Sequence, residues 1–531
     1  MSAVSLVLIL LAATALVRFL SERLNVPHAV LLVLGGLALA VTPGLPRATL
    51  DPDLVFLIFL PPLLYSAAIR TSWRDFQMSL RPILLLGVGL VSVTILAVAA
   101  IAHAVVGLAW APAFVLGAII SPPDAVAAIA MTRQLKIRRT LRTVLRGESL
   151  VNDATAFVAY RMAVKATISG TFSAGSAALQ FAIAGAGGIA VGLAVGYAVV
   201  SLRRRLPHLA EAENTISLLT PFAAFIPAEH LGLSSVLAVV AVGLYVGHQA
   251  PRFISPGTRV QVMDMWTLVA FMLEGLIFIL VGLDLPVVLR TVEGRALSTL
   301  IRYGLVISVT VIVVRIAWTF PAAYIRQAIE QWRGRTTVVV NAREMFFVAW
   351  AGVRGADSLV IALALPLVAA NSQAFPGRGI IIFVTFIVIL VTLVGQGLSF
   401  RFVIRVLGLR DDGRDEVELT EARLQTAKAG VARVDAIIAS EPDLADVARA
   451  IRERHRHRVH RYANRKRHRV HRRDESAAAD YRKVRREMID AERREMIRLR
   501  DEGVVSDDVM HTIERELDLE QLQLESDDPS A

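Results

Sequence analysis

The chain has 531 residues, 55% of them hydrophobic and 19% charged, and a formal net charge of +11. This composition departs from that of a soluble globular domain, and the apolar residues are concentrated before Leu407, with a charged remainder after it. Cysteine is absent, which excludes disulfides, thiolate metal sites and thiol catalysis.

Taken in chain order, the apolar runs are Val4–Val17, Ile83–Ala102, Gly185–Val200, Leu305–Val314 with its flanks, and Ile380–Val394. With their neighbours they are long or dense enough to cross a bilayer core. The first run lacks a basic start and is followed by Arg18, Arg23 and a second apolar run, so it reads as a span rather than a cleaved leader. Basic clusters then recur: Arg18/Arg23, Arg70/Arg74/Arg81, Arg133 to Arg146, Arg203–Arg205, Arg252/Arg259 and Arg326 to Arg343. Short basic loops mark the cytoplasmic face. Each interval between clusters accommodates an out-and-back excursion. The tightest, Asn214 to His248, supplies two short crossings at about 1.5 Å per residue. The expectation is an all-α polytopic membrane protein of about thirteen transmembrane helices. Residues 1–407 form the membrane domain, the N-terminus lies outside, and residues 408–531 form a charged helical cytoplasmic tail. The site of action is the cell membrane.

Ionisable groups within spans are the functional pointers, because each costs about 2.5–3.5 kcal/mol or more at mid-bilayer unless paired or wetted. The first place is Ser121-Pro122-Pro123-Asp124-Ala125-Val126, where two prolines lack the N–H a helix needs. Open backbone at that depth belongs in protein or beside a wet cavity. A helix end capped by Asp124 is the plainer reading, and the membrane setting favours an ion path. The second place is Gly147-Glu148-Ser149-Leu150-Val151-Asn152-Asp153-Ala154. Glu148 and Asn152 are i,i+4 neighbours, as are Ser149 and Asp153, giving two adjacent polar stripes. The third is Trp350-Ala351-Gly352-Val353-Arg354-Gly355-Ala356-Asp357-Ser358, a second interrupted helix with a buried positive charge. Glu148 is the natural partner for Arg354, while Asp357 offers a local one. Glu274, in the middle of Met265–Leu285, also needs a partner; His103, Glu229 and His230 sit near span ends and read as interfacial. Two interrupted helices flanked by acids form the pattern of inverted-repeat transporters that bind ions at the midplane.

At these residues the chain resembles the sodium/proton exchanger family of monovalent cation/proton antiporters, bacterial members especially. Phe59-Leu60-Pro61-Pro62-Leu63-Leu64-Tyr65, Ser121–Ala128, Gly147–Ala154, Glu274–Phe278 and Ala351–Ser358 carry the likeness, in the family's order. The resemblance implies that Asp153 alternately holds cation and proton, with Ser149 and the opened backbone around Asp124 completing a Na⁺ oxygen shell. It implies that Asn152 stands where electrogenic relatives have Asp, and that Glu148 and Arg354 form a structural ion pair. A homodimer with a moving six-helix core is implied as well. The chain departs from the pattern at Pro123, where many relatives have Thr, and at Ser66, where many have an acid.

Carboxylate, hydroxyl and unwound carbonyl oxygens suit hard monovalent cations, and a carboxylate also binds a proton. Competition of the two for one site gives exchange without ATP. No phosphate loop, zinc signature or hydrolytic triad is present, so neither an enzyme nor a cofactor is expected; Na⁺ or K⁺ and H⁺ are the substrates. A K⁺/H⁺ exchanger, a gated cation channel and a signalling protein with a vestigial core are the competing readings. In the tail, Arg452–Arg473 packs ten Arg, one Lys and five His into 22 residues. It reads first as solvated helix surface and second as a contact for anionic lipid or a proton sensor. Nucleic acid is not expected, since only Tyr462 is available for stacking. Val504–Leu524 has apolar residues spaced to pack on a partner helix, such as one in the dimer.

Overall fold

The computed structural model describes residues 3–24, 28–40, 52–124, 139–170, 174–205, 209–291, 296–332, 341–368, 374–409, 414–466, 472–502, 504 and 507–526. The end of the Ser121–Ala128 motif and the start of the Arg133 to Arg146 cluster, within 125–138, part of the basic segment at 333–340 and part of the basic tail stretch at 467–471 lie outside the described residues. The chain divides into two compact units, Met1–Asp411 and Asp412–Ala531. Among the described residues the structure is helical, with one isolated bridge between Val368 and Ala374.

The first unit opens with α1 (Ala3–Leu24), α2 (His28–Ala40) and α3 (Pro52–Ile69), which carries Pro61 and Pro62 inside it. A short α4 (Trp73–Met78) follows, capped by the Ser72 hydroxyl. Leu80–Val106 is one continuous apolar run built from α5 (Leu80–Leu84), a π-helical turn, α6 (Val91–Ile101) and a second π-helical turn. Wider turns release carbonyls from the regular ladder, and the Trp318 indole N–H donates to that of Leu85 at 3.1 Å. Next come α7 (Trp110–Ile120), α8 (Arg139–Ser169), α9 (Ala174–Arg205), α10 (Ala210–His230), α11 (Ser235–Gln249), α12 (Pro256–Thr291) and α13 (Leu297–Trp332). The stretch expected to hold two short crossings is thus α10 and α11. Then α14 (Ala342–Trp350) and α15 (Ala356–Leu363) flank a non-helical gap, and α16 (Arg378–Val391) runs through a π turn into α17 (Gly397–Leu407).

Among the described residues, five helical stretches are long and apolar enough to cross a membrane: Leu80–Val106, Ala178–Arg205, Gly257–Leu280, Leu297–Tyr324 and Arg378–Phe400. Small residues let helices approach one another. Gly36 of α2 lies against the Ile279 carbonyl of α12, and Gly282 of α12 lies against the Val33 carbonyl of α2. Any Cβ there would strike backbone, so the two helices would have to part. Glycine pairs of this kind replace the hydrophobic drive that lipid does not supply. Around the breaks, α7 packs on α6 and α8, and α13 packs on α14 and α16.

The second unit holds two helical hairpins. In one, α18 (Arg414–Ser440) packs on α19 (Ala445–Lys466) around Leu424, Ala427 and Tyr462. In the other, α20 (Arg472–Asp501) packs on α21 (Asp507–Ser526) through Ile489, Met496, Met510 and Leu517. Arg493 holds Asp518 at 2.5 Å across that hairpin, and Arg485 holds Glu520. Met510 and Leu517 of the last helix thus pack on α20 of the same chain, while Val509, Leu519 and Leu522 are exposed.

Candidate functional site

The site is the crossing of two interrupted helices. α7 stops at Ile120, with Ser121 as its cap still donating to the Gly117 carbonyl at 2.9 Å, and Pro122 to Asp124 run on without helical bonding, as the two prolines dictate. α14 stops at Trp350, with Ala351 as its cap donating to the Phe347 carbonyl; Gly352 to Gly355 are unwound, and α15 resumes at Ala356. The two open segments are bonded to each other: the Asp124 backbone N–H donates to the Val353 carbonyl at 2.7 Å. Gly355 faces the Asp124 side chain so closely that a Cβ would overlap its carboxylate. That contact, rather than a special backbone angle, requires the glycine.

Breaking a helix leaves its last carbonyls without donors, and at depth in a membrane protein each needs a replacement. Two buried arginines supply them. Arg354 donates from Nε to the Ile120 carbonyl at 2.9 Å, from Nη2 to that of Ser121 at 3.3 Å, and from Nη1 to that of Gly352. Its own backbone N–H is taken by the Thr392 hydroxyl at 3.1 Å. Arg315, from the middle of α13, does the same for the end of α14. It donates to the Val348 carbonyl at 3.0 Å and the Ala349 carbonyl at 3.1 Å. A positive group at a helix C-terminus also suits the helix dipole.

Arg315 additionally makes a bidentate pair with Glu148, at 2.5 Å and 2.9 Å. Both side chains are buried. This corrects the expected Glu148–Arg354 pair. The guanidinium of Arg354 is committed to carbonyls of both breaks, whereas Arg315 enters from α13 with its fork facing the carboxylate. Among the described residues Asp357 makes no hydrogen bond to Arg354 either. Sequence reasoning passed over Arg315, although a lone arginine in Val311-Ile312-Val313-Val314-Arg315-Ile316-Ala317 is itself a signal.

On α8 the polar stripes face the crossing. Asn152 is fully buried and its side-chain amide donates to the Pro123 carbonyl at 2.9 Å. Its Oδ1 has no hydrogen-bond partner among the described residues. Asp153 is 8% exposed, and no cation among the described residues faces it; its charged neighbours are Asp357 and Asp124. Ser149, one turn earlier, is buried on the same stripe. Glu274 of α12 lies within electrostatic reach of Asp124 and Asp357. The arrangement gathers four acids around opened backbone, with Arg315 and Arg354 committed to carbonyls and Glu148, and with Arg70 within electrostatic reach of Glu274. The Ser66 hydroxyl donates to the Leu63 carbonyl of its own helix at 3.1 Å. His103 ties Nδ1 to the Leu108 carbonyl at 2.8 Å and stacks on Trp110.

An uncharacterised Na⁺/H⁺ exchanger of Mycobacterium tuberculosis is 34% identical over 526 residues, which is 97% of this chain and 95% of that one. A sodium, potassium, lithium and rubidium/H⁺ antiporter of Bacillus subtilis is 32% identical over 68% of this chain and 55% of its own length. A Na⁺/H⁺ antiporter of Aphanothece halophytica is 30% identical over 73% of this chain and 71% of its own. The solved sodium proton antiporter MjNhaP1 of Methanocaldococcus jannaschii superposes with a TM-score of 0.60 over 76% of this chain and 99% of its own, at 18% identity, which is a likeness of fold. Residues 7–406 match the family model for the transmembrane sodium/hydrogen exchanger, and the chain belongs to that family.

Proposed function

We propose that the chain exchanges Na⁺ for H⁺ across the cell membrane, one for one, with Asp153 as the carrier. The observation that carries this is Asp153 itself: a buried carboxylate beside two other acids, at opened backbone, with no cation among the described residues facing it. A charge held that way must be neutralised. Either a proton or a monovalent cation can do so, and not both at once. Mutually exclusive occupancy, coupled to a site that faces alternate sides, is antiport. Asp124, Ser149 and the free Oδ1 of Asn152 are the oxygens we assign to the cation beside Asp153. Glu274 and Asp357 complete the acidic lining. Glu148 with Arg315, and Arg354, hold the breaks open and take no part in binding.

Under this reading the basic segments face the cytoplasm and the working unit is a homodimer; Arg452–Arg473 is first a solvated helix surface, with contact to anionic lipid headgroups the second reading. K⁺/H⁺ exchange is the second reading; the breadth of the Bacillus relative's printed substrates favours testing it. Purified protein in vesicles with an internal pH dye, challenged in turn with Na⁺, K⁺ and Li⁺, decides. A dye response to Na⁺ is expected; silence to all three cations rejects the proposal.

A further inference from the structure

Beyond Asp153, α8 continues with Phe157 and Arg161 at successive steps of four, so all three lie on one stripe. Arg161 is thus about 12 Å further along, at about 1.5 Å per residue. It lies toward the end of α8 opposite the basic residues Arg142 and Arg146. The space between is filled by aromatic rings. Phe157 meets Phe56 of α3 edge-on at 5.5 Å, and Tyr160 lies 6.2 Å from each. The Tyr160 hydroxyl donates to the Ala364 carbonyl, just past the end of α15, at 3.3 Å.

Above these rings Arg161 lies 5.0 Å over the face of Phe157 and forms an ion pair with Glu229 in the last turn of α10. The second oxygen of Glu229 accepts from the hydroxyl of Ser235, the first residue of α11, at 2.9 Å. The pair therefore bridges the helix that carries Asp153 and the α10–α11 corner. Its side chains are 37% and 36% exposed, a position from which it can part and re-form. Glu229 reads from sequence as merely interfacial. The structure gives it a partner on the carrier helix.

We propose that Arg161 and Glu229 form the latch that closes the ion route on the side where α8 ends, with Phe56, Phe157 and Tyr160 as the apolar plug beneath it. The inference rests on the exchanger reading. The latch exists only in the state closed at that face, so weakening it shifts the population toward the state open there. A half-exposed pair supports a shift of about two- to fivefold.

The test uses the full chain in membrane vesicles of both orientations. Exchange by the unmodified protein establishes the exchanger reading separately. Arg161→Gln should lower the KM for Na⁺ at the face where α8 ends and raise it at the other, so that the ratio of the two KM values moves about two- to fivefold. Glu229→Gln should do the same, and the double variant should go no further than either single. Equal movement at both faces, unchanged KM values or additive single effects would overturn the latch. Because the chain has no cysteine, a second test is clean. Arg161→Cys with Glu229→Cys, bridged by a reducible bis-methanethiosulfonate, should stop exchange and regain it with dithiothreitol. Continued exchange by protein whose bridge is confirmed by mass would also overturn the proposal.

Discussion

The side-chain amide of Asn152 donates to the Pro123 carbonyl across 2.9 Å, so the residue next to Asp153 is a tie that holds the first broken helix open. Only a donor can serve there. A carboxylate would set oxygen against oxygen unless it kept a proton.

Asn152→Asp should therefore be destabilised by about 1–3 kcal/mol at alkaline pH, the cost of a buried acceptor left unmet. The sign follows from which form can donate. When the introduced carboxyl is protonated it restores the bond, so the deficit relative to the unmodified protein should shrink at low pH and grow as pH rises. Thermal melting of both proteins in detergent at about pH 5.5 and about pH 8.5 measures it. A deficit that is the same at both pH values would mean that the Pro123 contact does not matter to stability.

Glu148 and Arg315 make the second prediction. Removing either partner leaves an uncompensated buried charge, which costs about 3–5 kcal/mol. Glu148→Leu and Arg315→Met should each melt early or express poorly. The double change should recover much of the loss despite the carbonyls of Val348 and Ala349 that Arg315 caps. Combining Glu148→Leu with Arg354→Met should bring no such recovery, since that second change leaves the carbonyls of Ile120 and Ser121 without donors and Arg315 still unpaired. Recovery in the Arg354 combination alone would reverse the assignment.

The contrast between these two arginines shows what a sequence holds. The breaks were legible because Pro122, Pro123, Gly352 and Gly355 act locally, on their own backbone and immediate neighbours. The gathering of Asp124, Asn152 and Asp153 was legible because polar residues within apolar runs must turn inward. Which arginine meets Glu148 was not legible. Arg315 is 167 residues away in sequence, and nothing in its own helix names its partner. The same holds for Arg161 and Glu229, whose meeting depends on how α8 and α10 are packed. Local spacing also did not name the helix against which Met510 and Leu517 pack, which is α20, through Ile489 and Met496.

Asp153→Asn isolates chemistry from architecture. The amide keeps the shape of the side chain and removes the carboxylate that we propose alternates between proton and cation. Because Asp153 is buried beside Asp357 and Asp124, losing its charge relieves repulsion. The variant should melt at the same temperature as the unmodified protein or higher, while its Na⁺-driven dye response falls to the background of empty vesicles. Any stabilisation by added Na⁺, which follows occupancy of the site, should vanish with it. Exchange at the unmodified rate would remove Asp153 from the carrier role.

The last prediction concerns charge movement, and it comes from the pairing of Asn152 with Asp153. One titrating carboxylate releases one proton for each monovalent cation it takes, so the cycle moves no net charge. A membrane potential contributes about 2.3 kcal/mol per 100 mV for each charge moved, and nothing to a one-for-one exchange. Na⁺/H⁺ antiport in vesicles should then run at the same rate whether a potassium and valinomycin gradient makes the interior negative or positive, provided the Na⁺ and pH gradients are held fixed. Asp124, Glu274 and Asp357 stand close enough to one another to interact, and any of them could carry a second proton. In that case a negative interior would slow the direction that exports more protons than it imports cations, and reversing the potential would speed it. Rates that change with the sign of the potential would reject the electroneutral cycle. Neutralising those three acids one at a time would then show which one makes the rate insensitive again.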